Sequence, residues 1–282
     1  MTGGCAVTGN KTLGYHPGNT IIHHLSGTSK MLFFLIVSVS SMLTYDTRLI
    51  IFISICSLAL IKISDIHWKD ISFVIKFILF FSVLNILAVY VFQPSYGEIL
   101  YGSKTVIIEG FGRFYLTLEE LFYLINLCLK YFATIPLVVV FLLTTDPSEF
   151  AGSLSKIGVS YKISYAVSLA LRYIPDIQEE YFSISSSQMA RGYEISEKGK
   201  LRERIKGAAN IVLPLILSSL DRIETISTAM ELRRFGEKEK RTFYSEKPFS
   251  KLDYLTVISA FLILGMTILL SYINKGRFYN PF

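Results

Sequence analysis

The chain has 282 residues, of which 51% are hydrophobic, 14% aromatic and only 18% charged, with a net charge of +6 and a mean hydropathy of +0.47. That balance excludes an ordinary soluble globular domain and points to a membrane protein. A hydrocarbon layer takes about 20 apolar residues per helical span, so runs of that size organise the reading.

Residues 1–30 read as an N-terminal lead-in. The first twenty carry glycines, Asn10, Lys11, His16 and Pro17 but no apolar core of a secretory signal. The segment 31–143 holds the first group of spans. Met31 to Ile61 is apolar except at Asp46 and Arg48, which with Tyr45 and Thr47 make a polar break that fits a tight turn. Two short spans, 31–45 and 48–62, are the economical reading, and a re-entrant hairpin is the alternative. A third span covers 71–92, interrupted by Lys76 and Asn85; a fourth covers 116–143 and holds Glu119, Glu120 and Lys130. The fourth is too long for one straight crossing, so its start lies near the outer surface or the helix tilts. Lys130 is expected to pair with a carboxylate or to snorkel, and Asn85 to bond a neighbouring helix. Cys5, Cys56 and Cys128 are far apart, and His16, His23 and His24 have no acidic or cysteine neighbour. Neither a disulfide framework nor a metal site is suggested.

Residues 144–251 break the apolar pattern with 17 Lys or Arg and 14 Asp or Glu, although another span, 252–274, follows before the tail 275–282. A polar domain is therefore inserted between spans. Thr145 or Asp146 can cap a short helix that has Pro147 at its first position, Glu149 near its positive end and Gly158 at its stop. Apolar residues then recur at three or four: Ile163, Ala166, Ala170, Ile174, Ile177 and Tyr181 in one stretch, and Ile205, Ala208, Val212, Leu215, Leu220, Ile223 and Ile226 in the next. These are two long amphipathic helices. Pro175 and Pro214 should bend them, and the polar run Gly192 to Arg202 supplies the turn of a helical hairpin.

Both long helices end alike, in Gln188-Met189-Ala190-Arg191-Gly192-Tyr193-Glu194 and in Ala229-Met230-Glu231-Leu232-Arg233-Arg234-Phe235-Gly236. A cation at a helix C-terminus is favoured by the dipole by about 0.3–1 kcal/mol, which by itself makes these arginines caps. Their repetition at matching ends suggests two equivalent acceptor sites.

From about Tyr15 to the last span the chain resembles the transmembrane T component of energy-coupling factor (ECF) transporters, the EcfT/CbiQ family. Four segments carry the likeness: Tyr15-His16-Pro17-Gly18-Asn19-Thr20 with His23-His24-Leu25 and Lys30; Thr144-Thr145-Asp146-Pro147; Arg172-Tyr173-Ile174-Pro175 through Ala190-Arg191-Gly192; and Asn210-Ile211-Val212-Leu213-Pro214-Leu215 through Ala229-Met230-Glu231-Leu232-Arg233. Two departures stand out. Ser26-Gly27 replaces an acidic or amide residue plus proline ahead of Lys30, and Arg234 stands where the second motif often has glycine, so either Arg233 or Arg234 is the second functional arginine.

The resemblance implies an all-α polytopic membrane protein with about five transmembrane helices and three cytoplasmic coupling helices in an amphipathic hairpin-like unit, in the cell membrane of a prokaryote. It implies a non-catalytic subunit of an ECF-type ABC importer, with two ABC ATPase subunits of the EcfA and EcfA′ type and a membrane-embedded substrate-binding S component as partners. Arg191 and Arg233, with Ala190, Gly192 and Arg234, would dock the ATPases. The S component would bring a vitamin or other micronutrient and sit on Ala166, Ala170, Ala208 and Ala209, small residues that allow close helix approach. No GxxxxGK[ST] phosphate loop occurs, so no cofactor is expected in this chain, ATP and Mg belong to the ATPases, and no nucleic acid is implicated. Charge is nearly balanced across the span ends, with Lys11, Lys30, Lys62, Lys69, Lys247 and Lys251 facing Arg48, Lys104, Arg113, Lys275 and Arg277. Orientation thus rests on span parity and resemblance, with the coupling helices inside. The rival reading is a self-sufficient secondary carrier, for which paired repeats with broken mid-membrane helices would be the natural signature.

Overall fold

The computed structural model describes residues 18, 20–66, 68–94, 96–108, 116–192, 201–237, 243 and 247–281. The turn at 193–200 and the Tyr15-His16-Pro17 start lie outside them. In chain order the elements are α1 (Ile21–His24), α2 (Gly27–Leu43), α3 (Thr47–Ile63), α4 (Trp68–Phe92), α5 (Tyr96–Tyr101), β1 (Val106–Ile108), β2 (Leu116–Thr117), α6 (Leu118–Thr144), α7 (Pro147–Lys156), α8 (Tyr161–Ala190), α9 (Leu201–Leu232) and α10 (Lys251–Ile273). The architecture is all-α apart from the small antiparallel pair β1–β2. The chain divides into two compact units, one drawn from 14–146 and 247–282, the other from 147–246.

In the first unit, Val74–Phe92, Leu118–Thr144 and Lys251–Ile273 are long and apolar enough to cross a membrane. The helices α2 and α3 have 17 residues each, about 25 Å at 1.5 Å per residue. Each starts on its own cap. The Ser26 hydroxyl accepts from the Ser29 N–H at 3.3 Å, and Asp46 accepts from the Arg48 N–H at 3.0 Å, so Tyr45-Asp46 forms the turn between them. With Ser26 at the N-cap, Gly27 is the first helical residue, the position that proline favours. The Ser-Gly pair therefore does the same capping work as the acidic or amide residue plus proline.

The helix α6 is the axis of this unit, packing against α2, α3, α4 and α5. Val37, Leu49, Ile50, Ile53, Ala133, Leu137 and Ala260 form its core. Pro136 lies inside α6 and, having no N–H, leaves the Phe132 carbonyl without its helical partner. The Ser57 hydroxyl of α3 donates to that carbonyl at 3.0 Å. Lys130 meets the end of α2 rather than a carboxylate: its Nζ donates to the Met42 carbonyl at 3.0 Å and lies 3.1 Å from the centre of the Tyr45 ring. The last carbonyls of any helix lack intrahelical donors, and a cation is well placed there.

At 27 residues α6 outruns α2 and α3, by about 15 Å. Around its extra N-terminal turns, buried Glu120 accepts from the Gly97 N–H at 2.6 Å, and buried Glu119 accepts from the Thr105 N–H and hydroxyl at 3.1 and 2.8 Å. The chain beyond α10 returns to this end. Asn274 donates to Asp46 at 2.8 Å, Phe278 stacks on Tyr45, Arg48 bonds the Tyr279 hydroxyl, and Asn280 donates to the Tyr101 carbonyl. Burial beneath this layer pushes the Tyr101 phenol up to about 12.

In the second unit α7 begins on Pro147 and ends in a turn where Gly158 has φ +109°. Its Val159 N–H reaches the Leu154 carbonyl, a six-residue closure that requires the left-handed residue before it. The helix α7 packs on α8, and α8 on α9.

Candidate functional site

The pairing of α8 with α9 is antiparallel, as three contacts fix. Phe235 packs on Tyr161 and Tyr165 at the start of α8. Near the middle Arg222 pairs with Glu180 at 3.0 Å and Asp176 at 3.9 Å. At the far end Gln188 Nε2 donates to the Asn210 carbonyl at 3.4 Å. That carbonyl lies four residues before Pro214, so the proline has freed it.

An antiparallel pair puts its two C-termini at opposite ends. Arg191 and Arg233 are thus separated by most of the length of α8, whose 30 residues measure about 45 Å end to end as a straight helix. Locally the two arginines occupy the same position. The Arg191 N–H bonds the Ser187 carbonyl, and the Gly192 N–H turns back to Met189; the Arg233 N–H bonds Ala229, and the Arg234 N–H turns back to Glu231. Gly192 has φ +84° and Arg234 φ +53°, so Arg234 holds the left-handed position that follows the cap, where glycine is favoured. Phe235 completes the motif by donating to the Met230 carbonyl at 2.9 Å. Ala190, Arg191, Gly192, Arg233 and Arg234 are all exposed, and Arg234 lies 3.7 Å from Glu237.

Ala166, Ala170, Ala208 and Ala209 are also exposed. They share the pair with large uncovered apolar residues: Ile163 and Phe182 on α8, and Leu213, Ile216, Leu220 and Ile223 on α9.

A cleft of about 890 Å³ opens among α2, α3, α6 and α10. Among the described residues, Lys30 is the only charged one that lines it. Lys30 is itself buried and donates from Nζ to the Thr144 carbonyl at 2.8 Å. Sequence reasoning left unassigned this contact, the Ser57 bond to Phe132 and the Gln188 bond to Asn210. A proline identifies which carbonyl is orphaned, but nothing in the order of residues says which distant donor reaches it.

These features define a class: a polytopic helical membrane protein bearing a pair of long amphipathic helices with an exposed arginine at each C-terminus. Residues 18–244 match the CbiQ family, described as cobalt transport protein, and the chain belongs to that family of ECF transporter T components. It is 28% identical over 263 residues to the energy-coupling factor transporter transmembrane protein EcfT of Clostridium kluyveri, spanning 90% of this chain and 94% of the relative. It is 30% identical over 276 residues to EcfT of Acidaminococcus fermentans, spanning 94% and 97%, and 25% identical over 262 residues to EcfT of Bacillus subtilis, spanning 89% and 94%.

Proposed function

We propose that this chain couples two ABC ATPase subunits to a membrane-embedded S component, so that ATP-driven movement of the ATPases delivers a vitamin or other micronutrient across the cell membrane. The α7–α9 unit faces the cytoplasm in this reading, and the chain itself hydrolyses nothing. What supports it most is the equivalence of Arg191 and Arg233. Both are exposed arginines at the C-cap of a long helix, followed by a left-handed residue, and the antiparallel pairing sets them toward opposite ends of the pair. That separation suits two side-by-side copies of one kind of partner. Arginine fits the task because its planar, permanently charged fork makes several directional bonds in a partly desolvated groove. The uncovered apolar surface around Ala166, Ala170, Ala208 and Ala209 is the seat of the S component.

The test is co-purification through a tagged chain, together with uptake, for Arg191→Glu, Arg233→Glu and the double variant. Leaving a buried polar groove unpaired costs about 2–5 kcal/mol, so each single change should weaken ATPase association more than tenfold and the double change should abolish it. Full retention and uptake in the double variant would remove the docking role. A chain that transports alone in proteoliposomes would be the self-sufficient carrier instead.

A further inference from the structure

The polypeptide leaves the membrane unit after Asp146 and returns to it at Lys247, so these two junctions are the covalent links to the α7–α9 unit. Both are held by the same short segment, residues 23–30. On the outgoing side, Lys30 Nζ donates to the Thr144 carbonyl at 2.8 Å, in the last turn of α6. On the returning side, Lys247 Nζ donates to the His23 carbonyl at 3.3 Å. Just beyond, Asp253 Oδ1 accepts from the Ser26 N–H at 2.8 Å and from the Ser29 hydroxyl at 2.5 Å. The other oxygen, Oδ2, accepts from the Ser250 N–H at 2.7 Å and closes a capping box at the start of α10. Lys30, Ser26, Ser29, Thr144 and Asp253 are all buried, where bonds to charged groups are strong and directional.

We propose that this segment is a clasp that ties the two junctions into one rigid element, with Lys30 and Asp253 as positioning residues that make the membrane helices follow the α7–α9 unit. The inference rests on the coupling reading. If each junction were held only by its own helix, α6 and α10 could yield separately when the α7–α9 unit is displaced, and the displacement would be lost. With Lys30 on one side and Asp253 on the other, both attached to the first turn of α2, the two junctions move together.

The measurement is substrate taken up per ATP hydrolysed, in proteoliposomes of the whole complex purified through a tagged chain. Lys30→Met, Asp253→Asn and Ser29→Ala are compared with Lys30→Arg, which keeps the charge. Loss of a buried charged bond should lower the uptake-to-hydrolysis ratio about tenfold in Lys30→Met and Asp253→Asn. ATPase retention and hydrolysis should stay near those of the unaltered complex, Ser29→Ala should be milder, and Lys30→Arg should recover part of the ratio. An unchanged ratio in both Lys30→Met and Asp253→Asn overturns the clasp. So does loss of insertion or of the ATPases in every variant, including Ser29→Ala, because the contacts would then serve folding alone. Failure of the unaltered chain to retain ATPases at all would instead defeat the coupling reading.

Discussion

The Ser57 hydroxyl, shared with the Ser54 carbonyl of its own helix at 2.9 Å, offers the Phe132 carbonyl the hydrogen bond that Pro136 withholds, across 3.0 Å between α3 and α6. Inside a bilayer no water replaces a missing donor, so a proline in a span is tolerated only where a neighbour satisfies the freed group. Ser57→Ala should therefore destabilise the membrane unit by about 1–3 kcal/mol. The same change in a Pro136→Ala background should cost much less, since the helical N–H returns. A double-mutant cycle on thermal unfolding in detergent measures the difference; equal costs in the two backgrounds would show the bond to be incidental.

Arg234 carries a left-handed backbone at φ +53°, a conformation that costs a side-chain-bearing residue about 1–2 kcal/mol relative to glycine. Arg234→Gly should raise the stability of the α9 end by about 1 kcal/mol and leave ATPase retention unchanged, with Arg233 intact. Thermal unfolding and co-purification check both halves. Loss of the ATPases in Arg234→Gly would move the second anchor to Arg234.

Gln188 holds the end of α8 on the carbonyl that Pro214 frees, and Arg191 lies three residues further on. Gln188→Leu keeps most of the side-chain bulk but deletes a bond worth about 1 kcal/mol. Amide exchange over the last turn of α8 should accelerate about fivefold, and the ATPase on the Arg191 side should bind more weakly by a similar factor. No change in exchange would mean that the 3.4 Å contact holds nothing.

Asn274 and the aromatic residues after it close over the turn between α2 and α3. Asn274→Ala removes the donor to buried Asp46 and should lower stability by about 1–3 kcal/mol. Ending the chain after Ile273 should cost more, because Phe278 and Tyr279 also leave Tyr45 and Arg48. Unfolding of purified protein in detergent gives both values, and a truncated chain as stable as the full one would rule out a closing role.

Composition and periodicity determine a good deal of this protein by themselves. Apolar runs mark 71–92, 116–143 and 252–274 as spans, and the helices Val74–Phe92, Leu118–Thr144 and Lys251–Ile273 are long and apolar enough to cross a membrane, because length and hydropathy are local properties. The three-and-four spacing of Ile163 to Tyr181 and of Ile205 to Ile226 reads directly as long helices for the same reason. The arginines at both helix ends are visible too, since capping is a matter of a few neighbouring residues. Tertiary structure alone decided which contacts hold the two long helices together, and that Lys130 caps α2 instead of pairing with a carboxylate. It alone decided that Ser57 answers Pro136 and Gln188 answers Pro214, and that residues 23–30 gather both junctions. Hydrogen bonds between groups more than 100 residues apart, such as Lys30 to Thr144 or Ser29 to Asp253, leave no period in a sequence. They exist only once packing has brought a donor to an acceptor that its own helix could not satisfy.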